Sequence, residues 1–201
     1  MKTIRIFGIC AAALLCCTAC AGQSSTAPES SSTETADGVT VTLADGVDAR
    51  YGETLKKYFD AINDQDYDAY LATVYPPYAE RYGAYLASKG RTMQQAFESM
   101  CSQFDEDGYE SWALTAVEAG YFKYETEYVQ SDGIADYFSS YTKMGVLDEG
   151  FEQKCRDAAE DIRDVKFTLY ALYSGDEEPV AVVSGQEILM LIDADGCWLF
   201  G

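Results

Sequence analysis

Carboxylates and phenols are the groups this chain has in numbers sufficient for chemistry: 34 Asp and Glu and 16 Tyr, with no histidine. The lack of histidine, and of any Cys-x-x-Cys pair beyond residue 20, removes the common zinc, haem and dithiol motifs. What remains is acid–base work by a carboxylate whose pKa is raised by burial, with a tyrosine as hydrogen-bond donor. Glu187 is the first acid to consider, because it lies in a long apolar run, and Tyr170 and Trp112 are candidate ligand-binding walls of a pocket. The competing expectation is a Glu187 at the start of a strand, facing solvent. No residue is assigned a catalytic role.

Calcium is the second chemistry to test. Asp64, Asp66 and Asp68 alternate as in an EF-hand loop, but that loop needs glycine at its sixth position and an acid at its twelfth, where this chain has Ala69 and Tyr75. The acids of Asp105-Glu106-Asp107-Gly108-Tyr109-Glu110, and Asp193 with Asp195, are read as turn residues. Phosphate-cradling glycine loops and metal-hydrolase motifs are absent. Neither a metal nor a cofactor is expected.

The elements that would position these groups follow from periodicity. Tyr51, Leu55, Tyr58, Phe59 and Ile62 recur at helical spacing, and Tyr67, Tyr70, Leu71 and Val74 resume it after the polar turn Asn63-Asp64-Gln65-Asp66. Pro76 and Pro77 are expected to end that second helix. A short helical piece spans Tyr78 to Ala87, and Thr92 with Gln95 forms a capping box that opens a helix with Met93, Ala96, Phe97, Met100, Cys101 and Phe104 on one face. The period then changes, and a strand starting at Trp112 is expected to continue through Tyr121 to Tyr128. The stretch from Gly133 to Gly145 carries no clear pattern. A helix from Asp148 places Phe151, Cys155, Ala158 and Ile162 together. Three strands close the chain: one with Val165, Phe167, Leu169, Ala171 and Tyr173 alternating, one from Val180 to Ile192 interrupted near Ser184-Gly185, and one at Cys197 to Phe200. Helices first and a closing meander predict an α+β fold, with N-terminal helices packed on a curved antiparallel sheet.

Ahead of this domain stands an export segment. Lys2 and Arg5 precede an uncharged apolar run through Leu15, and the run gives way to Gly22-Gln23-Ser24-Ser25 before reaching the length of a membrane span. Cys17-Thr18-Ala19-Cys20 resembles the bacterial lipobox, with Cys17 where leucine is usual. The resemblance implies a lipoprotein signal at 1–19 and lipid attachment at Cys20, so the expected location is the outer face of the cell membrane, anchored and not spanning. Residues 20–44 then form the lipidated cysteine and a Ser/Thr-rich tether with too little apolar surface to order itself, and 45–201 form a single domain.

Charge and cysteines narrow the partners. The chain carries a formal charge of -20, and loss of a signal containing Lys2 and Arg5 but no acid lowers it by two more. Phosphate backbones are bound by clustered Lys and Arg, so nucleic acid is not an expected partner. The domain retains Cys101, Cys155 and Cys197, which allow three pairings or none.

The polar turn before Asp66-Tyr67-Asp68-Ala69-Tyr70, the late strands and the Asp195-Gly196-Cys197-Trp198-Leu199 hairpin resemble the nuclear-transport-factor-2-like superfamily, as carried by lipoproteins of gut Firmicutes. The resemblance covers about Ala49 to Gly201. It implies a sheet wrapped against helices into a cone, often with a pocket at the open end, in a superfamily that includes isomerases, dehydratases, binding modules and dimerisation domains. No residue here matches that superfamily's catalytic positions one to one. The expected function is a membrane-anchored, non-catalytic domain that binds a small ligand or an envelope protein; isomerase- or dehydratase-like acid–base chemistry in the cone is the alternative.

Overall fold

A computed structural model describes residues 38–122 and 133–201. The expected signal, Cys20, most of the expected tether and the far end of the strand expected to reach Tyr128 lie outside the described residues. In chain order the elements are β1 (Thr40–Leu43), α1 (Ala49–Asn63), α2 (Tyr67–Leu71), α3 (Pro76–Ser88), α4 (Met93–Cys101) with a 3-10 turn at Ser102–Phe104, β2 (Trp112–Tyr121), α5 (Gly133–Lys143), α6 (Phe151–Ala158), β3 (Asp161–Tyr173), β4 (Val180–Ile192) and β5 (Cys197–Phe200). The fold is α+β. Its five strands lie in sequence order, β1-β2-β3-β4-β5, in an open sheet.

The sheet is mixed, which corrects the expectation of a purely antiparallel one: β1 runs parallel to β2, with Thr40 opposite Ala116 and Leu43 opposite Ala119, while the other pairs are antiparallel. Residues 40–43, grouped with the tether on composition, therefore belong to the sheet. Their four residues, Thr-Val-Thr-Leu, alternate too briefly to register as a strand alone. The neighbouring β2 backbone supplies the partner, and α1 returns beneath it.

Local chemistry explains where the helices begin. The Asp48 side chain caps α1 by accepting from the Arg50 amide, and the Asp66 side chain caps α2 by accepting from the Ala69 amide. Between them Gln65 turns the chain at φ 52°, in the left-handed region that non-glycine residues rarely enter. Thr92 and Gln95 form both bonds of the capping box at α4. Pro76 and Pro77 do not terminate a helix; they occupy the first turn of α3, where their missing amide protons would have no helical partner anyway. At α6 the helix stops at Ala158, and Ile162, expected on its face, stands in β3 opposite Leu191. The spacing from Ala158 fits either period, and pairing with β4 decides it, beginning with the Glu160 amide donating to the Ile192 carbonyl at 2.7 Å.

The core has two layers. On one face of the sheet, Val165, Phe167, Leu169, Ala171 and Tyr173 alternate inward and meet the buried stripe of α1, with the Phe59 and Phe167 rings 5.4 Å apart. On the other face, Phe200 of β5 is surrounded by Tyr75, Tyr78, Tyr137 and Phe138, from α3 with its cap and from α5. The stretch Ile188–Ile192 is buried at five consecutive positions, as expected of a strand covered on both faces. Each such side chain removed from water contributes about 1.5–3 kcal/mol. Cys101, Cys155 and Cys197 are all free thiols. Burial pushes the Cys101 thiol up to about 11 and Cys155 up to about 12, so these two behave as small core residues.

Candidate functional site

A cleft opens between α1, the end of α4 and the N-terminal half of β4. Tyr58, Phe59 and Ile62 come from α1, Met100 and Phe104 from α4 and its turn, Phe167 and Leu169 from β3, and Val183, Gln186, Glu187 and Ile188 from β4. Gly201 closes one end. These residues converge because the inward alternation of β3 and the helical stripe of α1 face each other. β4 then departs from regular pairing: Val183 stands opposite Leu169 and Gln186 opposite Phe167, so the two intervening residues, Ser184 and Gly185, form a bulge. Gly185 sits there at φ 66°, and a β-carbon on it would come within 2.9 Å of Lys166 Cε. The backbone angle favours glycine there, whereas the close atom belongs to the end of a flexible lysine that can swing aside.

The interior of the cleft is apolar and narrow. Its cavity is about 30 Å³, enough for one or two waters or a small alkyl group and far below the several hundred Å³ of pockets that enclose a metabolite. The Tyr58 hydroxyl donates to the Met100 thioether sulfur at 3.2 Å, so the phenol inside the cleft is engaged with another lining residue.

The three residues singled out in the sequence are not brought together. Glu187 reaches the cleft's rim, but its partner across the ladder is Lys166 and not Phe167, which turns its side chain toward the sheet's other face. There it is exposed. Partial burial raises its carboxyl above the usual range despite the nearby Lys166 ammonium. Asp164, two residues from Lys166 on that face, is pushed up to about 7 by burial and by the Glu187 charge. Tyr170 lies on the same outer parity of β3, opposite Ala116 and Ala181. Trp112 packs on Phe104 with ring centres 5.0 Å apart and donates its indole N–H to Asp105 at 2.9 Å. It supports the cleft's wall from behind and is not part of its lining.

Three of the other carboxylates considered above have structural partners. Asp66 caps α2 and Asp105 holds Trp112. Asp193 accepts from the amides of Asp195 and Gly196 and from the Trp198 indole, which locks the β4–β5 hairpin. Sequence reasoning placed Met100, Phe104 and Val183 in elements without seeing that they share a cleft. The signal was the Ser184-Gly185 interruption, which marks where β4 swings away. No protein-family model, curated protein or solved structure matches this chain. The site's own chemistry therefore carries the functional argument: an apolar slot whose rim acid stands in register with Lys166 can hold an apolar side chain.

Proposed function

We propose that this chain is an exported lipoprotein, anchored through Cys20 at the outer face of the cell membrane, whose nuclear-transport-factor-2-like domain is a non-catalytic binding module for an envelope partner. The observation that supports a binding role is the narrow apolar cleft at the open end of β4, with Glu187 directed away from it. A binding module needs only a complementary patch, and a tether between anchor and domain gives that patch reach. The anchor part of the reading rests on the lipobox-like Cys17-Thr18-Ala19-Cys20.

Two measurements test the two parts. Mass spectrometry of the chain from a bacterial membrane fraction should find a diacylated cysteine at the mature N-terminus, and Cys20→Ala should abolish the modification. An unmodified N-terminus at any other residue would sink the anchor. For the domain, turnover of a small molecule by the full chain, lost in Glu187→Gln, would replace the binding role with acid–base catalysis.

A further inference from the structure

The sheet leaves one of its longest strands half uncovered. β5 pairs with β4 only from Leu189 to Ile192. Toward the N-terminus, Val180–Ile188 is bonded to β3 on one side, and among the described residues nothing pairs with it on the other. Val180, Ala181, Ser184, Gln186 and Glu187 are exposed along this edge. The cleft opens beside it and is lined there by Val183, Ile188 and Phe104.

We propose that this edge is a docking site for an extended, cationic and apolar peptide segment of a partner protein, which adds as a strand along Val180–Glu187 and places an alternate apolar side chain in the cleft. The inference rests on the binding role proposed above and names its partner class. Strand addition draws affinity from main-chain hydrogen bonds and selectivity from pockets that receive every second side chain, and here an unpaired edge and a pocket are adjacent. The charge of the occupant follows from the surroundings. Apart from Lys166, which lies beside Gly185 and Glu187 at the far end of this edge, the flanking sequence is free of cations: no Lys or Arg occurs from 167 to 201, or between Arg91 and Lys123. The turn that leads into β4 carries Asp176, Glu177 and Glu178, and the loop before β2 carries Asp105, Glu106, Asp107 and Glu110. The Ser174 hydroxyl accepts from the Glu110 and Ser111 amides, tying these two acidic loops together at one end of the sheet. A second copy of this strongly negative chain would be repelled there, whereas a lysine- or arginine-bearing strand would be attracted. Tyr109 and Val180, the exposed large apolar side chains among the described residues, flank the same end.

The test uses the full chain and a capped eight-residue peptide of alternating lysine and valine. Binding is read by calorimetry and by amide hydrogen exchange. The expected result is binding that slows exchange in Val180–Glu187, no binding of the glutamate–valine counterpart, and loss by at least about tenfold when alternate peptide amides are N-methylated, since methylation removes the donors of one strand edge. Glu177→Lys with Glu178→Lys, both exposed turn positions, should weaken the lysine–valine peptide by about tenfold and flatten its salt dependence. Protection at another part of the molecule, undiminished binding of the N-methylated peptide, or no binding of the lysine–valine peptide overturns the proposal while leaving a binding role elsewhere intact. Turnover lost in Glu187→Gln removes the binding role itself.

Discussion

The two halves of β4 are the same strand under opposite conditions. From Leu189 to Ile192 it has a strand on each side and helices on each face, and all four residues are buried. From Val180 to Glu187 it has one neighbour, two breaks in register, and six of eight residues open wholly or partly to solvent. Two other edges of the sheet are covered. At β5 the linker before α3 fills the edge, with the Leu199 amide donating to the Thr73 carbonyl and the Tyr75 amide to the Leu199 carbonyl. On β2, where β1 no longer reaches, the Asn63 side chain stands in for a strand: it accepts from the Leu114 amide at 2.7 Å and donates to the Leu114 carbonyl at 2.8 Å. Exposed edges invite unwanted pairing. The half of β4 left open is defended only by its bulge and by acids, which discourage copies of the same chain and still admit a cationic strand.

Substitutions should divide along this contrast. The largest effect belongs to the closed half. Phe200 is buried opposite Leu189 and touched by four aromatic rings, so Phe200→Ala should cost about 3–5 kcal/mol, read as a lowered urea midpoint with an unchanged slope. A loss under about 1 kcal/mol would mean that the second layer on this face is not a packed core. Next comes the edge that is closed by a side chain. Asn63→Ala leaves the Leu114 amide and carbonyl without these partners at the point where β2 is irregular, and about 2 kcal/mol should be lost. Asn63→Asp, which keeps only the acceptor, should fall between wild type and alanine.

Much of this was legible in the sequence, and the gaps have physical causes. The helical stripe from Tyr51 to Ile62, the capping box at Thr92 and the strands β3 and β4 are legible because each is a long run with one period or a specific pair of side chains, while β5, as short as β1, is marked by the Asp195-Gly196 turn ahead of it. β1 was hidden because four residues cannot establish a period, and α3 was misjudged at its start because Pro76-Pro77 signals a stop or a first turn equally well. α5 was unreadable since its Tyr137, Phe138 and Tyr141 are claimed by Phe200 and Tyr78, residues distant in sequence. The site is legible only in part: Glu187 lines the cleft's rim, while Tyr170 and Trp112 are not among the lining residues. Glu187 was correctly seen in an apolar strand, but which face it took depended on how the bulge at Ser184-Gly185 reset the register, and one residue of register exchanges cleft for outer face.

The outer face at the junction of the two halves supplies a pH-dependent test. Burial, with Glu187 beside it, pushes the Asp164 carboxyl up to about 7 from an ordinary value of 3.8. A raised folded pKa means that the native state holds a proton that the unfolded state releases, so stability is fully present below about pH 4 and falls as pH rises toward 7. Asp164→Asn should remove that part of the slope and make the protein more stable than wild type at pH 8, by about 1 kcal/mol after allowance for solvent screening. Urea titrations of the two proteins at pH 4, 6 and 8 check it. Equal slopes would mean that solvent reaches Asp164 freely.

The smallest expected effect on stability is the sharpest test of the comparison. Val180 is 42 % exposed at the start of the open half, where lysine has water to reach and a natural role in blunting edges. Val180→Lys should therefore change stability by no more than about 0.5 kcal/mol. A loss above about 1 kcal/mol would show that this half of β4 is packed as firmly as Leu189–Ile192, and the division drawn here would fail. With stability unchanged, the same variant places a cation on the edge proposed to receive one, opposing a lysine-bearing strand at the position where its neighbours attract it. The lysine–valine peptide should then bind several-fold more weakly, a change expected mainly in the association rate and in its response to salt.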